Sequence, residues 1–325
     1  MTDEEILQRR MHGLYLSRRC EDPLTLAHHL MGLHCWFHRN VLFSLLIRGA
    51  NPIGWKTSLT KTWIHHALHG VAPEDLPDLL AVRPRTDPLS ELEREVISYM
   101  EDGVYSRAEF RRIFADRYEQ SAIDRAFSPW GGVFVGLAQR GLVAFRDMNS
   151  RDFDLISAEP TRSKDEVMPE LLRRYFIAYG PATIADAAWF FGLRKDDAKR
   201  LCTVPLDDLH CFEHNKSIYY YHSDSPENRS GMADIPEVTL LSGFDPFVVS
   251  YIDRSAVMPP EYKSRVVMKS GICLPTVAIN GRIAGLWNIK KNAPVLELFA
   301  PQPRRIEDAA YAMVESIYRR TKLYL

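Results

Sequence analysis

The chain has 325 residues, 46% of them hydrophobic and 26% charged, a balance that argues against disorder and suggests about two domains. Its 41 Lys and Arg against 42 Asp and Glu leave a formal charge of -1, which excludes a uniformly basic nucleic-acid coat. An anionic partner must therefore be met by a local patch. Of the 11 histidines, eight (His12, His28, His29, His34, His38, His65, His66, His69) fall in the first 69 residues, a region that can turn cationic below about pH 6.5. The five cysteines are scattered and never CxxC, so neither a disulfide framework nor a cysteine-type zinc site is expected. The N-terminus has no signal-peptide core, and no apolar run approaches the roughly 20 residues of a membrane span. The chain reads as a soluble, cytoplasmic protein.

Residues 3 to about 48 read as helical, because Ile6, Leu7, Met11 and Leu14, then Leu30, Leu33, Phe37, Val41 and Leu45, recur at i+3/i+4 spacing. Asn51-Pro52-Ile53-Gly54 breaks that pattern. The spacing predicts a helix over residues 59–68, and residues 82–88, with two prolines among polar residues, read as a linker. Helices are then predicted over residues 89–100, over 107–114 behind the N-cap Ser106, and over 130–140, stopped by Gly141. Two strand-like runs follow, at 142–146 and 153–156. The rhythm repeats with helices over 168–179, 184–191 (capped by Thr183, stopped by Gly192) and 194–202, then β runs at 209–212 and 217–221. Three helices and a hairpin, twice in tandem, is the winged-helix order. From Glu237 the runs are strand-like: residues 238–241, 265–268, 276–279, 285–289 and 295–299, with Asn280-Gly281 the strongest hairpin signal in the chain. They predict a small antiparallel sheet or barrel. One helix from residue 306 to about 323, basic in its last turns, follows.

His34/His38 and His65/His69 stand at i,i+4 on predicted helices, a spacing that turns each pair to one side and suits a metal. Four imidazoles without a carboxylate, and no HExxH, favour stacking or cation–π contact beside Trp36, Trp55 and Trp63 instead, and no metal is expected. In a winged helix the third helix and the wing meet DNA, with Lys and Arg on phosphates. Arg194, Lys195, Lys199 and Arg200 occupy that third helix in the second repeat, beside Asp196 and Asp197. Winged helices also mediate protein–protein contact, so the fold by itself leaves DNA binding open. Ser-His-Asp order, a Walker A loop and GxGxxG are absent, so no nucleotide cofactor is expected.

Four segments carry a family resemblance. They are Gly32-Leu33-His34-Cys35-Trp36 with Arg39; Thr62-Trp63-Ile64-His65-His66-Ala67-Leu68-His69 with Pro73-Glu74-Asp75; Ala185-Asp186-Ala187-Ala188-Trp189-Phe190-Phe191-Gly192; and Leu240-Leu241-Ser242-Gly243-Phe244-Asp245-Pro246-Phe247, followed by Asp253-Arg254-Ser255 and Gly285-Leu286-Trp287. In these the chain resembles the bacterial winged-helix DNA glycosylases of the AlkZ/YcaQ type, which excise bulky alkylated bases and unhook interstrand crosslinks. The resemblance implies an α+β, mainly α fold: three tandem winged-helix units, a small C-terminal antiparallel β-barrel and a terminal helix. The corresponding boundaries are 1–86, 87–160, 161–225 and 236–325. It also implies double-stranded, damaged DNA as partner, no cofactor, and action as a monomer.

The family's motif of Gln, an aliphatic residue, and Gln or Asp falls on His34 and Trp36. Excision demands stabilisation of an oxocarbenium-like sugar and a held water, as glycoside hydrolysis does. A neutral His34 can accept from that water, whereas the Trp36 indole has a donor and no acceptor. His65, His69 and Asp245 match positions near the family's cleft and are the other candidates for water activation; Arg39 joins Arg194, Lys195, Lys199 and Arg200 as candidate DNA contacts. Two further readings stay open: a catalytically inactive relative that only binds DNA, and a ligand-sensing transcriptional regulator. Lack of a separate dimerisation element weighs against the regulator, since operator readers are usually two-fold symmetric.

Overall fold

A computed structural model describes residues 1–64, 67–201, 207–225 and 234–324, apart from the side chains of residues 195, 198 and 199. The contacts divide the chain into two units, residues 1–53 with 169–325, and residues 54–168.

Residues 1–53 supply α1 (Asp3–Gly13), α2 (Pro23–His29), the two-residue β1 (Leu33–His34) and α3 (His38–Ile47). Helix α1 begins in a capping box, where Glu5 N–H donates to Thr2 and the Glu5 carboxylate accepts from Thr2 N–H. Asp22 caps α2 by accepting from Thr25 N–H at 2.6 Å, and hydrogen bonding from the Thr25 side chain and then its backbone holds the Asp22 carboxyl below the usual range. The predicted continuous helix is interrupted at Met31-Gly32, both at positive φ, so His34 ends a strand while His38 begins a helix. The expected shared helical side for His34 and His38 is therefore absent. Burial also holds the His12 imidazole below its ordinary pKa and pushes His29 down to about 4, so these two resist the predicted acid charging.

The unit of residues 54–168 runs α4 (Trp55–Ser58), β2 (Thr60–Ile64), β3 (Ala67–Val71), α5 (Leu76–Ala81), α6 (Glu91–Glu101), α7 (Arg107–Ile113), α8 (Gln120–Ala126), α9 (Val133–Gln139), β4 (Val143–Phe145) and β5 (Phe153–Leu155). Its strands lie in the order β3-β2-β4-β5. The predicted helix over 59–68 is a β-hairpin, with Thr62 opposite His69 and Trp63 opposite Leu68. Thr60, Thr62 and Ile64 are β-branched and favour the pleat, and Lys61 pairs with Phe145 of β4, a partner invisible to local spacing. Capping boxes at Ser90–Glu93 and Ser106–Glu109 start α6 and α7, the second at the predicted N-cap Ser106. An unpredicted helix, α8, brings Ile123 and Phe127 to an aromatic core with Phe110, Phe114 and Phe134; Phe134 stacks on Phe153 at 4.0 Å. Each such ring contributes roughly 1.5–3 kcal/mol by burial.

The other unit continues with α10 (Lys164–Tyr179), α11 (Ile184–Phe190), α12 (Lys195–Leu201) and the hairpin β6 (Leu209–His214)/β7 (Ser217–His222). Thr183 and Asp186 form the capping box of α11. Then follow β8 (Val238–Leu241), α13 (Pro246–Val249), α14 (Lys263–Val266), β9 (Thr276–Ile279), β10 (Arg282–Lys290), β11 (Ala293–Leu298) and α15 (Arg304–Thr321). Of residues 265–268, expected as a strand, Arg265 and Val266 end the turn of α14, and Val267 makes a β-bridge to Cys273. The sheet β11-β10-β9-β8 is antiparallel throughout, and Asn280-Gly281, at φ 47 and 74, makes the expected tight turn between β9 and β10. The expected barrel is not formed among the described residues: four strands leave the sheet open, and α15 packs on it instead, burying Ile306, Ala310, Val314 and Ile317. The fold is α+β with helices and antiparallel sheets.

Candidate active site and nucleic-acid interface

Burial alternates over residues 33–36: Leu33 and Cys35 are buried, His34 and Trp36 half-buried. Period-two alternation thus puts the apolar members of the motif into the core and turns His34 and Trp36 away from it. The His34 imidazole stacks on Phe244, ring centroids 5.6 Å apart and planes 25° from parallel. Phe244 stands in the Gly243-Phe244-Asp245 turn between β8 and α13, with a left-handed φ of 56°.

Asp245 itself is fully buried, at 0% exposure, and so is Arg48 of the α3 C-cap. The two form a bidentate pair, Arg48 Nη2 to Oδ1 at 2.9 Å and Nη1 to Oδ2 at 3.1 Å. Oδ2 also accepts from the Ser242 N–H and hydroxyl, and Oδ1 from the Phe247 N–H. Arg48 spends its other donors on the Leu14 carbonyl and the Ser44 hydroxyl. Both carboxylate oxygens are engaged by these partners, and the water-activating role expected of Asp245 draws no support from this placement. It is the lock of the Phe244 turn. Sequence reading missed Arg48, because a charge at the end of an apolar helix reads as surface; the Ser-Gly-Phe-Asp-Pro signature was the signal that pointed to its partner.

His69, on β3, is half-buried, and its Nδ1 lies 3.2 Å from the Ala67 carbonyl. A carbonyl only accepts, so Nδ1 carries the proton and Nε2 is the basic nitrogen. His65 lies outside the described residues. His69 is on a strand rather than on the expected helix. Arg107, the first residue of α7, is a cation set among aromatic rings. Its guanidinium packs over the Phe153 ring at 4.6 Å, with Phe134, Phe145 and Trp63 within 6 Å, and burial pushes its pKa down to about 10.

Among the predicted DNA contacts, Arg39 is exposed at the start of α3, and Arg194 and Arg200 are exposed at either end of α12. The Lys195 and Lys199 side chains lie outside the described residues. Several other cations are already engaged. Arg10 is buried against Tyr251 at 3.7 Å and donates to the Pro181 carbonyl, Arg117 is bidentate with Glu95, and Arg111 pairs with Asp124. Among the described residues, no group of three or more His, Cys, Asp or Glu is arranged to hold a metal ion, and no helix is long and apolar enough to cross a membrane.

Comparison with known proteins supplies a family. A family model described as DNA glycosylase AlkZ-like matches residues 56–320. An interstrand DNA cross-link repair glycosylase of Streptomyces sahachiroi is 26% identical over 277 residues, 76% of this chain and 75% of the relative. The solved structure of Streptomyces sahachiroi DNA glycosylase AlkZ superposes with a TM-score of 0.78 at 23% identity, covering 98% of this chain and 97% of that one.

Proposed function

Because the chain belongs to the AlkZ-like DNA glycosylase family, we propose that it binds damaged duplex DNA and hydrolyses the N-glycosidic bond of a bulky alkylated or crosslinked purine. The observation that carries this reading is His34: at the motif position, turned out of the core, with its ring held against Phe244. In the proposed step, a neutral His34 nitrogen accepts a proton from water as the oxygen bonds to C1′ of the sugar. The bond from C1′ to the purine nitrogen breaks, and its electron pair neutralises the cationic alkylated base, which leaves without needing a proton. The oxocarbenium-like sugar between these events is the species the site must favour. His69, with Nε2 as its basic nitrogen, is the second candidate for holding water. Trp36 supplies an indole surface and one donor.

The order of helices and hairpins in α6–β5 and α10–β7 supports a reading as winged helices within 87–160 and 161–225, with 1–86 as a first unit and 236–325 as the sheet domain. In that reading α12 presents Arg194, Lys195, Lys199 and Arg200 to phosphates, and Arg39 adds a contact beside the motif. We place the protein in the cytoplasm, acting as a monomer without a cofactor.

Trp36 favours a second reading, a family member that binds lesions without excising them, since one of the two motif acceptors is missing. Duplex carrying a single 7-alkylguanine separates the two. The enzyme reading predicts free alkylguanine and an abasic site from wild-type protein at saturating duplex; tight binding with no released base establishes the second reading in its place.

A further inference from the structure

We infer that Phe244 is a positioning residue for His34, fixing the direction in which the imidazole presents its nitrogens; this rests on His34 being the group that holds water. Phe244 has a φ of 56°, a conformation that costs any side chain and that glycine adopts freely. The position nevertheless carries a phenylalanine, and its ring is only half-buried, unlike the fully buried Phe247 three residues on. The turn alone does not need that ring, and the core does not consume it. Its neighbour across space is the His34 imidazole at 5.6 Å, stacked.

The surroundings hold the strained residue from both sides. Gly243 lies so close to the Asn40 side chain that a Cβ there would sit 2.9 Å from it. Asp245 is fastened to Arg48, and the Phe244 N–H donates to the Cys273 carbonyl at 3.2 Å. The Leu240–Phe247 signature is thus a clamp with a ring at its tip. Stacking restrains the imidazole from swinging through its side-chain rotamers, and the Phe244 ring covers its face rather than its in-plane nitrogens, of which Nδ1 is buried.

The test uses protein labelled with 13C and 15N histidine, the His34 signals being assigned by their loss in His34→Gln. The ring current of Phe244 places the wild-type His34 carbon-bound protons upfield. Phe244→Tyr retains that displacement; Phe244→Leu and Phe244→Gly lose it, and the glycine variant suits the positive φ should the leucine variant not fold. Single-turnover release of 7-alkylguanine is expected to stay within about twofold in Phe244→Tyr and to fall about ten- to a hundredfold in the other two, with duplex affinity retained. Unmoved His34 signals overturn the inference, as do moved signals with undiminished release, or equal loss in Phe244→Tyr. If wild-type protein releases no base, the proposed function fails by itself, and the imidazole signals alone decide whether Phe244 positions His34.

Discussion

At Trp36 the chemistry of one side chain departs from what its family position asks. An indole cannot accept a hydrogen bond from water, so in the proposed mechanism His34 is the one acceptor left where the motif of the resembled family supplies two. Replacing Trp36 with Gln or Asp restores the second, and base release is predicted to rise about tenfold or more, read as single-turnover rate on the 7-alkylguanine duplex. A rate unchanged or lowered by both substitutions contradicts this role. His29 offers a separate test. Burial, reinforced by the nearby positive charges of Arg18, Arg174 and His28, overrides its bond to the Gly13 carbonyl and sets its pKa at about 4. The unfolded chain takes up the proton near pH 6.5 and the folded chain does not, so stability falls as pH drops from about 6.5 to about 4. The contribution is about 2–3 kcal/mol, and urea unfolding of His29→Gln at pH 7 and 4.5 should show a correspondingly smaller acid loss than wild type.

Among the elements, the Ser242–Phe247 turn and α3 share one buried ion pair, and its two halves are not interchangeable with solvent. Arg48→Met leaves the Asp245 charge buried without its partner and is predicted to cost about 3–5 kcal/mol in urea unfolding; the paired Arg48→Met, Asp245→Leu change should cost less than either alone. An additive double variant would show that the two groups act independently. How far elements could be foreseen follows the range of the forces that make them. The caps at Ser106 and Thr183 and the Asn280-Gly281 turn are local hydrogen-bonding or backbone devices, and each lies where the residues alone put it. The β2/β3 hairpin was hidden because i+3/i+4 apolar spacing also fits a short alternating strand, and its pairing with β4 comes from residues about eighty positions away. The motif alone singles out His34 and Trp36, and their proposed part in excision rests on it. Phe244 and Arg48 gain their roles only through contacts about two hundred residues apart in the chain.

For the molecule as a whole, the net charge of -1 does not forbid DNA; it bounds it. Many arginines are already neutralised in place, as in Arg117–Glu95, Arg111–Asp124 and Arg305–Glu237, so non-specific affinity should be modest and concentrated in a few exposed cations. Arg194 and Arg200 at the ends of α12 are the exposed pair that the winged-helix reading puts on phosphates. Arg194→Ala with Arg200→Ala is predicted to weaken undamaged duplex binding and to lower the salt slope by about 2, one per lost contact, measured by fluorescence anisotropy over a salt series. An unchanged slope would remove α12 from the interface.

His34 is the residue proposed to carry out excision on bound DNA. That role is tested most directly by quantifying the alkylated purine released from a 7-alkylguanine duplex by wild type and by His34→Ala, at protein concentrations where both saturate the duplex. Wild type is expected to release one base per lesion and His34→Ala to do so at a rate about a hundredfold or more lower, with equal duplex affinity. Undiminished release by His34→Ala, or none by wild type, would contradict it.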